Sequence, residues 1–363
     1  MRLLTVGSLP PEWGGRERGG VATFHAALLE GLARRGGEVE LLGALVPTPP
    51  SRTPPVSTFH RPEGVGIAEF YEGLLGRLHP DVVLMNHVAH TIGVTHARLS
   101  GAPPAVGIAH SWHNISFRHG EERARARAVT EEALGGLATL VVPSRHCRQE
   151  GERLGLPLPA DTETIHYPLP PPYAEAGVDP EGVSERRGVL YVGSLIERKN
   201  PAGLVEAAAL SPGAEVTIVG EGEQEGELRE QIAKLGLDGR VRLESLLGER
   251  HLERLRDLYL SSAALCLPSA SESFGIVFIE ALACGTPVVG FSPTVREIGI
   301  ELGTEIGVPL EDRSPAAIAA ALDAVASRTW DRHRLRQAVC ESFALGPTVD
   351  RYLRVLSGAV ANV

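Results

Sequence analysis

Twice along this chain, short apolar runs alternate with amphipathic helical stretches, and a segment dense in proline and acid separates the two series. In the first series the pattern predicts strands at Leu3–Val6, Val39–Leu42, Val82–Met85, Val106–Ala109 and Thr139–Pro143. Helical periods fall between them, at Val21–Arg35, Ile67–Leu78, 91–99, Glu121–Gly135 and Ser144–Leu154. In the first of these, Val21, Phe24, Leu28, Leu29 and Leu32 recur near a 3.6-residue period, and Gly36-Gly37 ends it. Residues 47–63, rich in Pro, Ser and Thr, read as a loop. Consecutive strands separated by a helix run parallel, so the pattern demands a parallel sheet covered on both faces.

Between Pro157 and Arg187 the alternation stops, leaving one short strand predicted around Thr164–Tyr167. From Gly188 it restarts, with strands predicted at Val189–Val192, Val216–Val219, Val241–Glu244, Ala264–Leu267 and Pro287–Gly290. Helices are predicted near 201–210, 225–235, 249–260 and 276–284, and a last one over Thr348–Val360. A chain of 363 residues is too long for one ordinary core. The reading is therefore two Rossmann-like α/β domains, 1–160 and 188–345, joined by a linker at 161–187, with residues 346–363 a helix crossing back to the first. Such halves are expected to face each other across a cleft, where ligands of α/β folds bind.

The overall balance excludes several partners. With 35 Lys and Arg against 45 Asp and Glu the formal charge is −10, which disfavours nucleic acid and anionic lipid. No apolar run approaches the roughly 20 residues of a membrane span, and the N-terminal apolar run is too short for a signal peptide. Four widely spaced cysteines without a CxxC pair suit a reduced, cytoplasmic setting.

Four local patterns bear on chemistry. In SESFGIVFIEALACGTPVV, Glu272 and Glu280 flank an apolar run, which suggests two acids holding hydroxyls of one ligand. In LYVGSLIERKNP, Arg198 and Lys199 precede Pro201 at a helix start, where cations oppose the helix dipole and an anionic ligand such as a diphosphate would compensate. Gly19 and Gly20, just before the first helix, allow close backbone approach to a phosphate. GEGEQEG, beginning at Gly220, resembles a dinucleotide fingerprint only loosely, because its third glycine is late and three glutamates would repel pyrophosphate. It reads better as a tight strand-to-helix turn near a ligand. Histidines crowd the first half, including His87, His90, His110 and His113, without a zinc-ligand pattern. His110 ends a strand at the cleft-facing edge, where it could hydrogen-bond a substrate hydroxyl.

Five segments in this order resemble the retaining glycosyltransferases of family 4, which have the GT-B fold. They are GGVATFHAALLEGLARRGGEV, AHSWHN, LYVGSLIERKNPAGLVEAA, VTIVGEGEQEGELREQIAKLGLDGRVRL and CLPSASESFGIVFIEALACGTPVVGFSPTVREI. The last matches the family's E-x7-E motif. The resemblance implies that Glu280 holds the ribose hydroxyls of a nucleoside-diphosphate sugar and Glu272 the hydroxyls of its sugar. It further implies that the backbone of Phe274, Gly275 and Ile276 lies along sugar and diphosphate, and that Lys199 binds the diphosphate. Gly193 and Gly220 lie on turns of the donor site, Gly19 and Gly20 close over the phosphates, and His110 lies near the transferred sugar. Two departures stand out. Ser194 occupies a position where the family often has arginine, for which Arg198 is the candidate substitute, and HYPLPPPY replaces a common Asn-Gly hinge.

The resemblance thus implies transfer of a hexose-type sugar, without metal or cofactor, from a nucleotide sugar (commonly UDP-linked) to a hydroxyl of a small polar acceptor. A sugar, a cyclitol and a natural-product intermediate remain open as acceptors. A phosphorylase or synthase of the same fold and a non-catalytic nucleotide-sugar-binding protein remain as alternatives.

Overall fold

Seven parallel strands build the first sheet: β1 (Arg2–Val6), β2 (Glu40–Val46), β3 (Thr58–His60), β4 (Val82–Met85), β5 (Ala105–Ile108), β6 (Thr139–Val142) and β7 (Thr162–Thr164). Their spatial order is β3-β2-β1-β4-β5-β6-β7. Six more form the second: β8 (Val189–Val192), β9 (Val216–Val219), β10 (Val241–Glu244), β11 (Ala264–Leu267), β12 (Val288–Phe291) and β13 (Gly307–Leu310), in the order β10-β9-β8-β11-β12-β13. Every pairing in both sheets is parallel. Each sheet reverses its winding once, between β1 and β4 and between β8 and β11, and the loops leaving those strand ends are where α/β folds place ligands. The computed structural model describes residues 1–15, 19–46, 48–54, 56–88, 91–174, 179–180, 182, 185–245 and 251–362. The chain divides into Met1–Pro168 with Leu345–Val363, and Leu169–Ala344.

The central strands are apolar throughout because helices cover both faces. All four residues of β4, β5 and β11 are buried. The Ile67–Leu78 helix forms where its period predicts. It buries Tyr71 and Leu74 against Leu4, Val6, Val83 and Met85, and it ends at His79, whose left-handed backbone (φ 44°) lets its N–H bond Leu75. The final helix, Leu345–Ala361, lies on the Gly20–Ala33 helix of the first unit. Gly31 makes that approach possible, since a Cβ there would lie 2.4 Å from Val349 Cγ2. An Arg35–Asp350 ion pair borders the contact.

Two expectations needed correction, and a third stretch holds elements that the sequence reading had not placed. Residues 47–63 are not all loop, because Thr58–His60 adds strand β3 beside β2. The strand expected around Thr164–Tyr167 is instead Thr162–Thr164, and it extends the edge of the first sheet next to β6. Beyond β12 the alternation continues through helices Ser292–Leu302, Pro315–Ala326 and Arg332–Ser342 and edge strand β13, which contains Pro309. Proline is tolerated on that edge because one side of the strand has no ladder to donate to. Residues 175–178, 181, 183 and 184 of the expected linker, and His90, lie outside the described residues. Among the described residues no helix is long and apolar enough to cross a membrane, and no cluster of His, Cys, Asp or Glu is placed to hold a metal.

Candidate active site

At the end of β8 the chain turns through Gly193 and Ser194, then forms a single 3-10 turn, Glu197–Lys199. Asn200 follows with left-handed backbone (φ 55°) and caps the Pro201–Leu210 helix by accepting from Gly203 N–H. The loop after β9 is laced to this one: Leu195 N–H donates to Glu221 O at 2.9 Å, and Gln224 N–H to Leu195 O at 3.0 Å. A Cβ at Gly220 would stand 1.9 Å from the Gly193 carbonyl, and one at Gly222 would stand 2.4 Å from that of Leu195. The glycines of GEGEQEG therefore let two loops pack backbone to backbone, as a tight turn requires.

The loop after β11 reaches the same place from the other side of the reversal. Ala270 N–H donates to Arg198 O at 2.7 Å, the Arg198 guanidinium donates to Ser271 O at 3.0 Å, and Thr294 Oγ1 donates to Glu272 O at 3.1 Å. Held this way, Glu272 meets Lys199, with Oε1 2.5 Å from Nζ. Their side chains are 7% and 16% exposed, so water screens the pair little. Burial alone would raise the Glu272 carboxyl. The charge and hydrogen bond of Lys199, with Ser269 and Arg198, outweigh it and hold the group below its ordinary value. The cation that seemed misplaced at a helix start is thus compensated by a glutamate 73 residues away.

Phe274 turns inward, its ring edge-on to Phe343 at 5.5 Å, which leaves its main chain to line the loop. Gly275 (φ 71°) then starts the Ile276–Ala283 helix, whose first N–H groups and positive dipole end favour an anion. A Cβ at Gly275 would meet the Phe278 ring at 2.5 Å. Gly275→Ala is accordingly expected to destabilise the second unit by about 1–3 kcal/mol, seen as a lower urea midpoint, from left-handed strain and the displaced ring. One turn into the helix, Glu280 is buried and accepts from the Tyr259 hydroxyl at 2.8 Å. Burial pushes its carboxyl up to about 7, with Tyr259 pulling the other way.

In the first unit, Gly14 and Gly15 are packing residues, since Cβ atoms there would strike Thr48 O and Leu9 O. Gly19 and Gly20 differ: both are exposed, Gly19 (φ 144°) precedes the helix beginning at Gly20, and a Cβ at Gly19 would meet nothing within 4 Å. His110 follows β5 and is buried, which departs from the expected role. Its Nε2 lies 2.5 Å from Asn86 O and 3.1 Å from Asn86 Oδ1, so it carries the proton; Nδ1 accepts from the Tyr167 hydroxyl at 2.5 Å. Both ring nitrogens are committed to the protein, and burial, with charge from His87, lowers its pKa to about 3. The imidazole is neutral and has no nitrogen left for a substrate hydroxyl.

Sequence reasoning missed the partners of this histidine. His25 lies on the buried face of the first helix, bonded to Thr5 Oγ1 at 2.8 Å and Ser8 O at 2.9 Å. Asn86 and Tyr167 complete the buried polar group, and Phe24 packs on His110 and Tyr167. A polar residue on the apolar stripe of Val21, Phe24 and Leu28 was the available signal for His25. Exposed His87, at the end of β4, lies over His110 with centroids 6.1 Å apart.

The second unit thus assembles Gly193, Arg198, Lys199, Gly220, Glu272, Phe274, Gly275, Ile276 and Glu280 around the ends of β8, β9 and β11. Gly19, Gly20 and His110 belong to the first unit. Residues 179–341 match the family described as Glycosyl transferases group 1, and residues 18–169 match Glycosyltransferase Family 4. The chain belongs to the group 1, family 4 glycosyltransferases. Among the relatives of this family 4 chain are D-inositol 3-phosphate glycosyltransferases. That of Xylanimonas cellulosilytica is 28% identical over 92% of this chain and 89% of its own length. That of Mycobacteroides abscessus is 40% identical, but over 29% of this chain and 24% of the relative. With the Geodermatophilus obscurus enzyme the match spans 35% of the relative. Solved structures share the GT-B fold: sucrose-phosphate synthase from Thermosynechococcus elongatus superposes with a TM-score of 0.77 at 19% identity over all of both chains. Anabaena HepE, solved with UDP and glucose, gives 0.73 at 17% identity over 98% of this chain and 99% of its own.

Proposed function

We propose that this chain is a retaining glycosyltransferase that moves a hexose-type sugar from a nucleoside-diphosphate sugar to a hydroxyl of a small polar acceptor. The observation that carries the reading is the meeting of Lys199, Arg198 and Glu272 on the loops after β8 and β11, beside the N-terminus of the Ile276–Ala283 helix. Cations and a helix start in one place suit a diphosphate, and two buried carboxylates suit the hydroxyls at its two ends.

As the bond from the sugar's anomeric carbon to the β-phosphate oxygen breaks, negative charge grows on that oxygen. Lys199, Arg198 and the helix dipole stabilise it there. The acceptor oxygen bonds to the anomeric carbon on the same face, and its proton passes to the departing phosphate, so configuration is kept. In this scheme Glu272 positions the sugar and forms no bond to it. The UDP and glucose bound by HepE favour a UDP-hexose donor. The relatives' name points to a cyclitol acceptor. The formal charge of −10 favours a neutral polyol over its phosphate.

Thermal-shift screening of UDP-, ADP- and GDP-hexoses tests the donor, with stabilisation by one of them expected. Mass spectrometry then compares inositol with inositol 3-phosphate as acceptor. The reading expects the mass of one hexosyl group to be added. No stabilisation by any nucleotide sugar, or donor consumption only with inorganic phosphate, would contradict it.

A further inference from the structure

Glu280 is surrounded by groups that could set its charge, yet few of them touch it. The His251–Ser261 helix, the Pro171–Ala174 turn, the Arg332–Ser342 helix and β12 pack against its helix. The first brings Tyr259 and Arg256, and the second brings Tyr173, its ring edge-on to Tyr259 at 5.8 Å. Cys284 caps the helix itself, and β12 contributes no titratable side chain. Three arginines spend donors on carbonyls at and just past the helix's end: Arg336 on Ala283 O at 2.7 Å, Arg186 on Cys284 O at 2.9 Å and Arg332 on Gly285 O at 2.7 Å. They neutralise the negative end of the dipole and fix the helix. Among the described residues, Tyr259 is the side chain that donates to the carboxylate, through Oε2.

We propose that Tyr259 is a positioning residue: its hydroxyl orients Glu280 and favours the ionised form that accepts the donor's ribose hydroxyls, and so sets the pH below which donor affinity falls. The proposal rests on the donor reading above and adds to it a residue and a proton. Burial pushes the Glu280 carboxyl up to about 7, and the Tyr259 hydrogen bond opposes that rise. The Tyr259 hydroxyl is itself pushed well above its ordinary value, by burial and then by the Glu280 and Tyr173 charges, so it remains a donor throughout. Ribose hydroxyls donate, and a carboxylate accepts from them better than a carboxylic acid. Seating the ribose below pH about 7 therefore requires release of one proton, and affinity falls as pH drops through that value. Removal of the Tyr259 hydroxyl favours the acid form, so the fall begins at higher pH.

The test is calorimetric titration of UDP-glucose into wild type and Tyr259→Phe between pH 5.5 and 9, without acceptor. The diphosphate diester of UDP-glucose has no proton to lose in this range. Wild-type affinity is expected to weaken about tenfold per pH unit below about 7. In Tyr259→Phe the onset moves up by about one unit, so binding is about fivefold weaker at pH 7, about tenfold weaker at pH 6 and close to wild type at pH 9. An unchanged profile, or the same loss at every pH, overturns the proposal. Should Tyr259→Phe not fold, Glu280→Gln serves: its affinity is expected to be level with pH, and a wild-type profile in that variant overturns the proposal. Failure of UDP-, ADP- and GDP-hexoses alike to bind wild type overturns the donor reading itself, a different result from binding that ignores Tyr259.

Discussion

Lys199→Ala is expected to lower turnover about a hundredfold or more, the scale on which loss of one preorganised electrostatic stabiliser acts. The charge that Lys199 would meet exists fully only as the nucleotide leaves, so the loss should fall on kcat more than on KM. The substitution also strands Glu272, which is buried and paired to that ammonium. Breaking a buried pair costs about 3–5 kcal/mol, so the rate must be read on protein shown to be folded by circular dichroism. Lys199→Arg separates the two effects, because it keeps a cation near Glu272 and moves its position. Its stability should be near wild type while its rate lies between the two. A near-wild-type rate in Lys199→Ala would remove Lys199 from the chemistry.

Glu280→Gln is expected to make the protein more stable at pH 8 and less able to bind a donor. In the fold the carboxyl is pushed from 4.5 up to about 7 by burial. A raised carboxylate contributes stability that is fully present below the unfolded value near 4.5 and is lost as pH rises through about 7. The difference amounts to about 3 kcal/mol at pH 8. An uncharged amide of the same shape can still accept from Tyr259 and bears no such cost. Urea unfolding should therefore show a higher midpoint for the variant at pH 8 and little change at pH 5. An equal shift at both pH values would mean that the buried charge is not the cause. A residue that weakens its own fold and is placed beside a helix-start anion site is what a binding function explains.

Much of the architecture could be read along the chain because it is decided locally. The Ile67–Leu78 helix shows its apolar face at every turn. The buried strands β4 and β11 are unbroken apolar runs. The elements that escaped notice lack such signals: Thr58–His60 is a three-residue, half-exposed edge strand in a proline-rich stretch, and Gly307–Leu310 is an edge strand containing proline. The Pro315–Ala326 helix is mostly alanine, and only Ile318, Leu322 and Val325 mark its buried face.

The site divides the same way. Glu272, Gly275 and Glu280 follow one another through a loop and a helix turn, and their spacing is visible without a fold. The partners are not. Lys199 reaches Glu272 only because β8 and β11 are neighbours, and Tyr259 reaches Glu280 through helix packing. Likewise His110 was legible as a histidine at a strand end, but Asn86 and Tyr167, which occupy both its nitrogens, are 24 and 57 residues away in sequence, after β4 and beyond β7.

The most direct test of the central claim is proton NMR of the product formed when wild type is given an α-linked nucleotide hexose and a polyol acceptor. The account predicts release of the nucleoside diphosphate with formation of an α-linked hexoside, and loss of that product in Lys199→Ala. A β-linked product, or a donor left intact across the acceptor panel, would contradict it.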